Sequence, residues 1–395
     1  MIYAFTSAAL NYLPKARLCL GSLRRFHPEF RLCYALADRL PAGLTVEESC
    51  IDEVIPVEDL PEIGKPSWIF QHSIVELSTG IKGAVLQRLL ARNDCEAVLY
   101  FDPDIVLFSR LDDLVERLMG AEIVLTPHQA EPEATLERII DNEIGSLRWG
   151  IFNLGFLGVR NGPVGRAFAA WWETRLRHFC FDRLDAGLFT DQKWINHAPV
   201  FFDGVAIVKE PRFNVATWNV TTRQMTGRAP DSILIDGKPL GFYHFTGFDS
   251  GAHSVMADRN AAGNAVLRGL IEWYRSAIAV AEGDALARLP WAFGRYADGT
   301  PIELSHRRIY GMRGSLQRAY PDPFDAGAVS KGPGELASFL AWVAARGVVE
   351  YPELCGESAD QIAVLVAENR RLKEELRLLK GSLSWRITKP LRAIS

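Results

Sequence analysis

Asp102 and Asp104 stand two residues apart around Pro103, directly after the apolar run Ala97-Val98-Leu99-Tyr100-Phe101. A proline between two carboxylates bends the chain, so both side chains can face a single ion. Carboxylate oxygens suit hard divalent cations such as Mg²⁺ and Mn²⁺, which often bridge a protein and a substrate diphosphate. A bare D-x-D arises by chance in loops, but here five apolar residues precede it and Ile-Val-Leu-Phe follows. Three further segments offer partners. FNLGFLGV sets Asn153, both donor and acceptor, two residues before Gly155, which permits close backbone approach to a ligand. TDQKWIN sets Asp191 beside Gln192 at the opening of a helical segment. YHFTGF places His244 and Gly247 after a strand-like run, and an imidazole suits a Mn²⁺-like ion as third ligand. Each segment alone reads more readily as structure: a capping Asp, a buried Asn, a core His. Their joint occurrence in this order argues for a site.

The elements that must position these residues alternate. Ile2 to Phe5 reads as a buried strand, Ala16 to Phe26 as an amphipathic helix, Arg31 to Ala37 as the next strand, and Glu76 to Ala91 as another helix. That alternation predicts an α/β layer structure in which ligands bind beyond the carboxyl ends of strands, where Asp102 falls. Strand-like runs recur at Glu122 to Thr126, Gly155 to Arg160 and Val205 to Val208, with a helix around Val164 to Phe179. Leu267 to Val280 is helical, and turn-rich sequence follows. These patterns predict a catalytic domain over 1–280, an extension over 281–358, and a distinct segment over 359–395. Trp171 and Trp172 sit at core-helix spacing; Trp218 lies in a polar context where sugar stacking is an even alternative.

In the last segment Ile362, Leu365, Asn369, Leu372, Leu376, Leu379 and Leu383 repeat at spacings of three and four, a short heptad seam with Asn369 at an a position. The pattern fits a homodimer through 362–383, or a single helix packed on its own domain. Residues 384–395 mix Arg386, Lys389 and Arg392 with Trp385, Ile387, Leu391 and Ile394. Such a tail fits peripheral contact with an anionic membrane surface, or a solvated or partner-packed end.

Composition bounds the rest. The 395 residues are 48% hydrophobic and 23% charged, which excludes a mainly disordered or collagen-like chain. A net charge of −4 argues against a nucleic-acid binder with a basic surface. No apolar run reaches the roughly 18 residues of a transmembrane helix, and MIYAFTSAAL reads as a first strand, not a leader. The six cysteines are scattered without a C-x-x-C pair, as expected of buried, reduced thiols in a cytoplasmic protein.

The ordered set D-x-D, N-x-G, D-Q and H-x-x-G resembles the retaining, metal-dependent GT-A glycosyltransferases of family 8, the glycogenin and lipopolysaccharide galactosyltransferase group. ELST-x-x-K, YFDPDI, TPH, FNLGF, WW, DQKWI, NVA-x-WN and HFTGFD, over roughly residues 1–250, also resemble bacterial cell-surface polysaccharide glycosyltransferases. The closing SxSWRxTxPLR is similar to tails of such enzymes. The resemblance implies a Rossmann-like mixed central sheet flanked by helices, with a C-terminal helical extension and short coiled coil. It implies Mn²⁺ or Mg²⁺ held by Asp102, Asp104 and His244 against a UDP- or GDP-linked sugar. It sets Ala4, Thr6 and Tyr12 near the base, Lys82, Asn153, Gly155 and Gly247 along the donor, and Asp191 and Gln192 at the anomeric centre, with the nucleophile role of either open. The acceptor would be a cell-surface polysaccharide or lipid-linked glycan, with the enzyme at or near the inner face of the bacterial plasma membrane. One departure stands out: the group often carries a lysine shortly after H-x-x-G, where Phe248-Asp249-Ser250 follows here. Donor identity and retention therefore stay open, with an inverting transferase as one alternative and a glycan-binding scaffold with a decayed site as another. A phosphoaspartate hydrolase is disfavoured, since Ile105 rather than Thr or Val follows the second aspartate.

Overall fold

The computed structural model describes residues 1–46, 49–281, 284–327 and 336–355. The heptad segment 362–383 and the tail 384–395 lie outside the described residues. The chain divides into two compact units, Met1–Gly294 and Arg295–Ser395.

The first unit is built on a seven-stranded mixed sheet. Strands β1 (Ile2–Ala8), β2 (Arg31–Leu36), β3 (Glu53–Pro56), β4 (Ala97–Phe101), β5 (Ile105–Leu107), β6 (Ile123–Pro127) and β7 (Phe152–Arg160) follow in chain order. The sheet runs Val205–Ile207, β6, β7, β4, β1, β2, β3, with β7 antiparallel to both of its neighbours and the other pairs parallel. β4 is central and buried at all five positions, as a continuous apolar run requires when both faces are covered. On one face Ala4, Leu32, Tyr34, Leu99, Phe101 and Phe156 pack with Leu13, Ala16, Leu20 and Leu23 of helix Leu13–Phe26. Tyr100 points the other way, toward helix Lys82–Leu90, whose Lys82 Nζ sits 4.2 Å from its ring centroid. Trp172, on helix Pro163–Phe179, is fully buried.

The strands read from periodicity fall where it puts them, with ends moved by a few residues, while β3 and β5 carried no such reading. The helical stretch read as 76–91 is two consecutive helices, Ile74–Gly80 and Lys82–Leu90. The first starts in a reciprocal cap: Ser73 Oγ accepts from the Glu76 N–H at 3.3 Å and Glu76 Oε2 accepts from the Ser73 N–H at 2.9 Å. Residues 284–294 belong with the first unit, where Asp38 Oδ1 accepts from the Ala292 N–H at 2.9 Å and the Trp291 indole donates to the Ala37 carbonyl at 3.0 Å. In the second unit, helices Leu304–Met312 and Gly314–Ala319 bury Ile309, Tyr310 and Leu316, and Tyr310 Oη donates to the Tyr320 carbonyl at 2.7 Å. No helix among the described residues is long and apolar enough to cross a membrane. No disulfide joins any of the six cysteines.

Candidate functional site

The site starts at the carboxyl end of β4. The Asp102 N–H donates to the Gly155 carbonyl on β7 at 2.8 Å, and the Ile105 N–H closes a tight turn onto the Asp102 carbonyl at 3.0 Å. Pro103 occupies the second turn position, where its fixed φ is favoured. The chain then re-enters extended geometry as β5, which pairs antiparallel with Phe242–His244, Ile105 facing His244. The Phe245 N–H donates to the Asp104 carbonyl at 2.9 Å. That register carries an imidazole from 140 residues downstream (244 − 104) to the aspartate pair. His244 Nε2 lies 3.0 Å from Asp104 Oδ1 and 3.7 Å from Asp102 Oδ2. One ligand atom from each of the three side chains lies within 4.8 Å of the others.

His244 is buried, its side chain 3% exposed. Burial alone would lower its pKa, but the Asp104 carboxylate holds it above the ordinary value. Burial would raise Asp104; the facing imidazole, with Lys15 beyond it, keeps that carboxyl below the usual range. Two hard oxygens and one imidazole nitrogen, drawn together with opposite charge bias, fit a divalent cation of the Mn²⁺ or Mg²⁺ kind.

Lys82 is 2% exposed and bridges Asp102 Oδ1 (3.1 Å) and Asp191 Oδ2 (2.9 Å). Burial disfavours its charge, but the two carboxylates reverse that and raise its pKa. Asp191 lies above the usual carboxylate range, because burial and the Asp102 charge outweigh Lys82. Thr190 Oγ1 also donates to Asp191, at 3.1 Å, from a residue with φ of 41°, the left-handed region that costs a branched side chain energy. Gln192 is held at both ends of its amide: Oε1 accepts from the Leu154 N–H at 3.0 Å and Nε2 donates to the Trp149 carbonyl at 3.1 Å.

Two cavities share Val75, Thr79, Lys82 and Asp102 as a common wall. The first is lined by Ser7 to Ala9, Asn11, Tyr12, Ser78 and the 102–104 turn. The second is larger in outline and takes in His128, Asn142, Trp149, Asn153, Asp191, Gln192, Trp218, His244 and Gly247. The first-strand residues expected near the base divide. Tyr12 lines the first cavity, whereas Ala4 and Thr6 are fully buried, and the wall is instead Ser7, Ala8 and Ala9. Period-two alternation turns positions 4 and 6 into the layer under helix Leu13–Phe26, and only the strand end opens onto space. Gly155 also differs from expectation. A Cβ there would lie 2.5 Å from His244 Cε1 and 2.6 Å from Nδ1, so the group that approaches this backbone is the imidazole.

Several further residues line or brace these cavities. Lys15, 5% exposed, meets Asp249 Oδ2 at 2.5 Å, and Tyr12 Oη donates to the same oxygen at 2.5 Å. Asp249, where the resembled group often has a lysine nearby, thus holds a lysine from another element. His128, present in the quoted TPH, lines the second cavity, and burial pushes its pKa down to about 4. Trp218 lines the same cavity, and its indole N–H is buried without a partner among the described residues. Asn219 staples its loop: Oδ1 accepts from the Ala216 N–H, and Nδ2 donates to the Asn214 and His128 carbonyls. No spacing rule singles out a lysine on a mostly apolar helix face, and the partner of Lys15 lies 234 residues away.

No family model matches the chain. It is 31% identical over 173 residues to the uncharacterized protein YfnD of Bacillus subtilis (strain 168), covering 42% of this chain and 52% of that protein. It is 26% identical over 176 residues to YfnF of the same organism, covering 42% and 55%. The chain thus spans about half the length of the curated relatives it matches. Among solved structures it is similar to the galactosyltransferase LgtC in complex with donor and acceptor sugar analogs, at 18% identity and a TM-score of 0.40 over 68% of this chain and 100% of that one. It is also similar to the glycosyltransferase GlyE of Streptococcus pneumoniae TIGR4, at 14% identity and a TM-score of 0.37 over 70% and 64%.

Proposed function

We propose that the chain is a metal-dependent glycosyltransferase of the GT-A kind, moving a sugar from a nucleoside-diphosphate donor to a glycan or lipid-linked glycan acceptor. The observation that supports this reading is the convergence of Asp102, Asp104 and His244 at the junction of two cavities. A cation held by those three residues would neutralise the charge of a departing diphosphate. The nucleotide belongs in the first cavity, against Tyr12 and the end of β1, with the diphosphate along the 102–104 turn. Lys15, presented by Asp249, supplies positive charge on that side. The transferring sugar and the acceptor belong in the second cavity, where Trp218 offers an apolar face and an indole N–H.

Lys82 holds Asp191 in place and partly offsets the Asp102 charge, so that Asp191 can stabilise positive charge developing on the sugar. Gln192, locked by the main chain, serves as a rigid wall and polar contact. A carboxylate positioned this way suits retention of anomeric configuration, with UDP or GDP as the base class and Mn²⁺ as the ion. The heptad of 362–383 would pair two chains, and the 384–395 tail would bring the acceptor site to an anionic membrane face.

The test is thermal melting with Mn²⁺, UDP and GDP, singly and together, followed by a donor screen for nucleoside diphosphate release. Stabilisation requiring both metal and nucleotide is expected, and its loss in Asp104→Ala with a still-cooperative melt. Stabilisation by glycan alone, unaffected by Asp104→Ala, would point to a binding module instead. Anomeric analysis of the product decides retention.

A further inference from the structure

Asn153 is 5% exposed, and its amide is engaged at both its oxygen and its nitrogen. Oδ1 lies 3.1 Å from the Gly155 N–H donor and 3.1 Å from His244 Nδ1, while Nδ2 lies 3.1 Å from His128 Nε2. A backbone N–H can only donate, so the atom that faces Gly155 must be the amide oxygen. An amide oxygen can only accept, so His244 Nδ1 must carry a proton. The neutral imidazole therefore has its lone pair on Nε2, the atom 3.0 Å from Asp104. At the other end of the amide, the Nδ2 hydrogen needs a lone pair, which His128 Nε2 provides. Trp218 closes the flank, its ring edge-on to both imidazoles at 5.4 and 5.5 Å between centroids.

Gly155 completes the arrangement. A Cβ there would lie 2.8 Å from Asn153 Oδ1 as well as inside contact distance of the imidazole. Only glycine lets the asparagine and the histidine meet over this stretch of β7.

We infer that Asn153 and Gly155 are positioning residues that fix His244 in its Nδ1–H tautomer and aim the Nε2 lone pair at a divalent cation beside Asp102 and Asp104, with His128 as the outer anchor. This rests on the metal reading given under Proposed function. Asn153 then acts on the donor through His244, and the N-x-G spacing is a consequence of one strand supplying both the acceptor atom and the gap.

The experiment titrates metal-free protein with Mn²⁺ alone and reads binding by electron paramagnetic resonance, with ¹⁴N modulation reporting a bound imidazole. Wild type is expected to bind one ion with ¹⁴N coupling that His244→Ala removes. Asn153→Ala is expected to weaken Mn²⁺ by roughly 10- to 100-fold, the effect usual for loss of a group that orients a ligating histidine, and to lose or alter the coupling. Asn153→Asp, whose carboxylate still accepts from Gly155 and His244, is expected to retain most of both. Gly155→Ala is expected to abolish the coupling by displacing the imidazole. Wild-type affinity and coupling in Asn153→Ala overturn the inference, as does retained coupling in folded Gly155→Ala should Asn153→Ala not fold. A wild type that binds no Mn²⁺, alone or with UDP or GDP, overturns the metal reading as well, which separates the two failures.

Discussion

Lys82 carries its charge at 2% exposure because two carboxylates surround it, and the three groups depend on one another. Breaking a buried ion pair by removing one partner leaves the other charge desolvated, at a cost of roughly 3–5 kcal/mol. Lys82→Met is accordingly expected to destabilise the first unit by about that amount in urea unfolding, since Asp191 is left 3% exposed without its counter-cation. A variant as stable as wild type would show that the pair is energetically idle. At this scale the aspartates, Asn153, Gly155, Asp191, Gln192 and His244 were legible as residue types in short motifs. Lys15 was not, because an isolated lysine has meaning only beside Asp249 and Tyr12. Gly155 was legible as a site of close approach, but not what approaches it.

Elements place these residues through two contacts. The pairing of β5 with Phe242–His244 sets His244 opposite Ile105; a one-residue slip would turn the imidazole to the other face. Helix Lys82–Leu90 is set by its contact with helix Pro163–Phe179, where a Cβ on Gly83 would lie 2.7 Å from Glu173 Cα. Replacing glycine by alanine within a helix ordinarily stabilises by up to about 1 kcal/mol. Gly83→Ala is expected to reverse that sign, losing about 1–3 kcal/mol as the helices are forced apart. Urea titration checks it, and a rise in stability would refute the close contact. Most of the long helices and strands of the first unit were readable from apolar periodicity, while short ones such as β3 and β5 were not. Nor was their register, because β5 and Phe242–His244 are three residues each and carry no turn between them.

For the whole molecule, buried neutral histidines set the response to acid. Burial holds His128 and His253 near about 4, while an unfolded histidine titrates near 6.5. The contacts of His253 accommodate the neutral ring: Nδ1 faces the Thr246 carbonyl at 3.0 Å, and Nε2 faces Tyr243 Oη, whose hydroxyl can donate to it, at 3.2 Å. As pH falls from 6.5 to 4, the unfolded chain takes up protons that the folded chain refuses, so stability falls across that window. The slope is about 1.4 kcal/mol per pH unit for each histidine. His244 has the opposite sign: its raised pKa gives stability present below 6.5 and lost as pH rises through the folded value. His253→Gln is expected to flatten the acid-side slope of unfolding free energy, and an unchanged slope would refute a neutral His253.

What the sequence by itself determined is the set of candidate side-chain types and the layered α/β scaffold. Both are local: five apolar residues ending at an aspartate specify a buried strand with acid at its mouth wherever they occur. The tertiary structure alone decided the register that brings His244 onto that acid, the pairing of Lys15 with Asp249, and which strand positions face space. These are long-range matters, settled by strand pairing across more than a hundred residues. A short motif encodes what its side chains can do, while the pairing of distant backbone determines what they do it to.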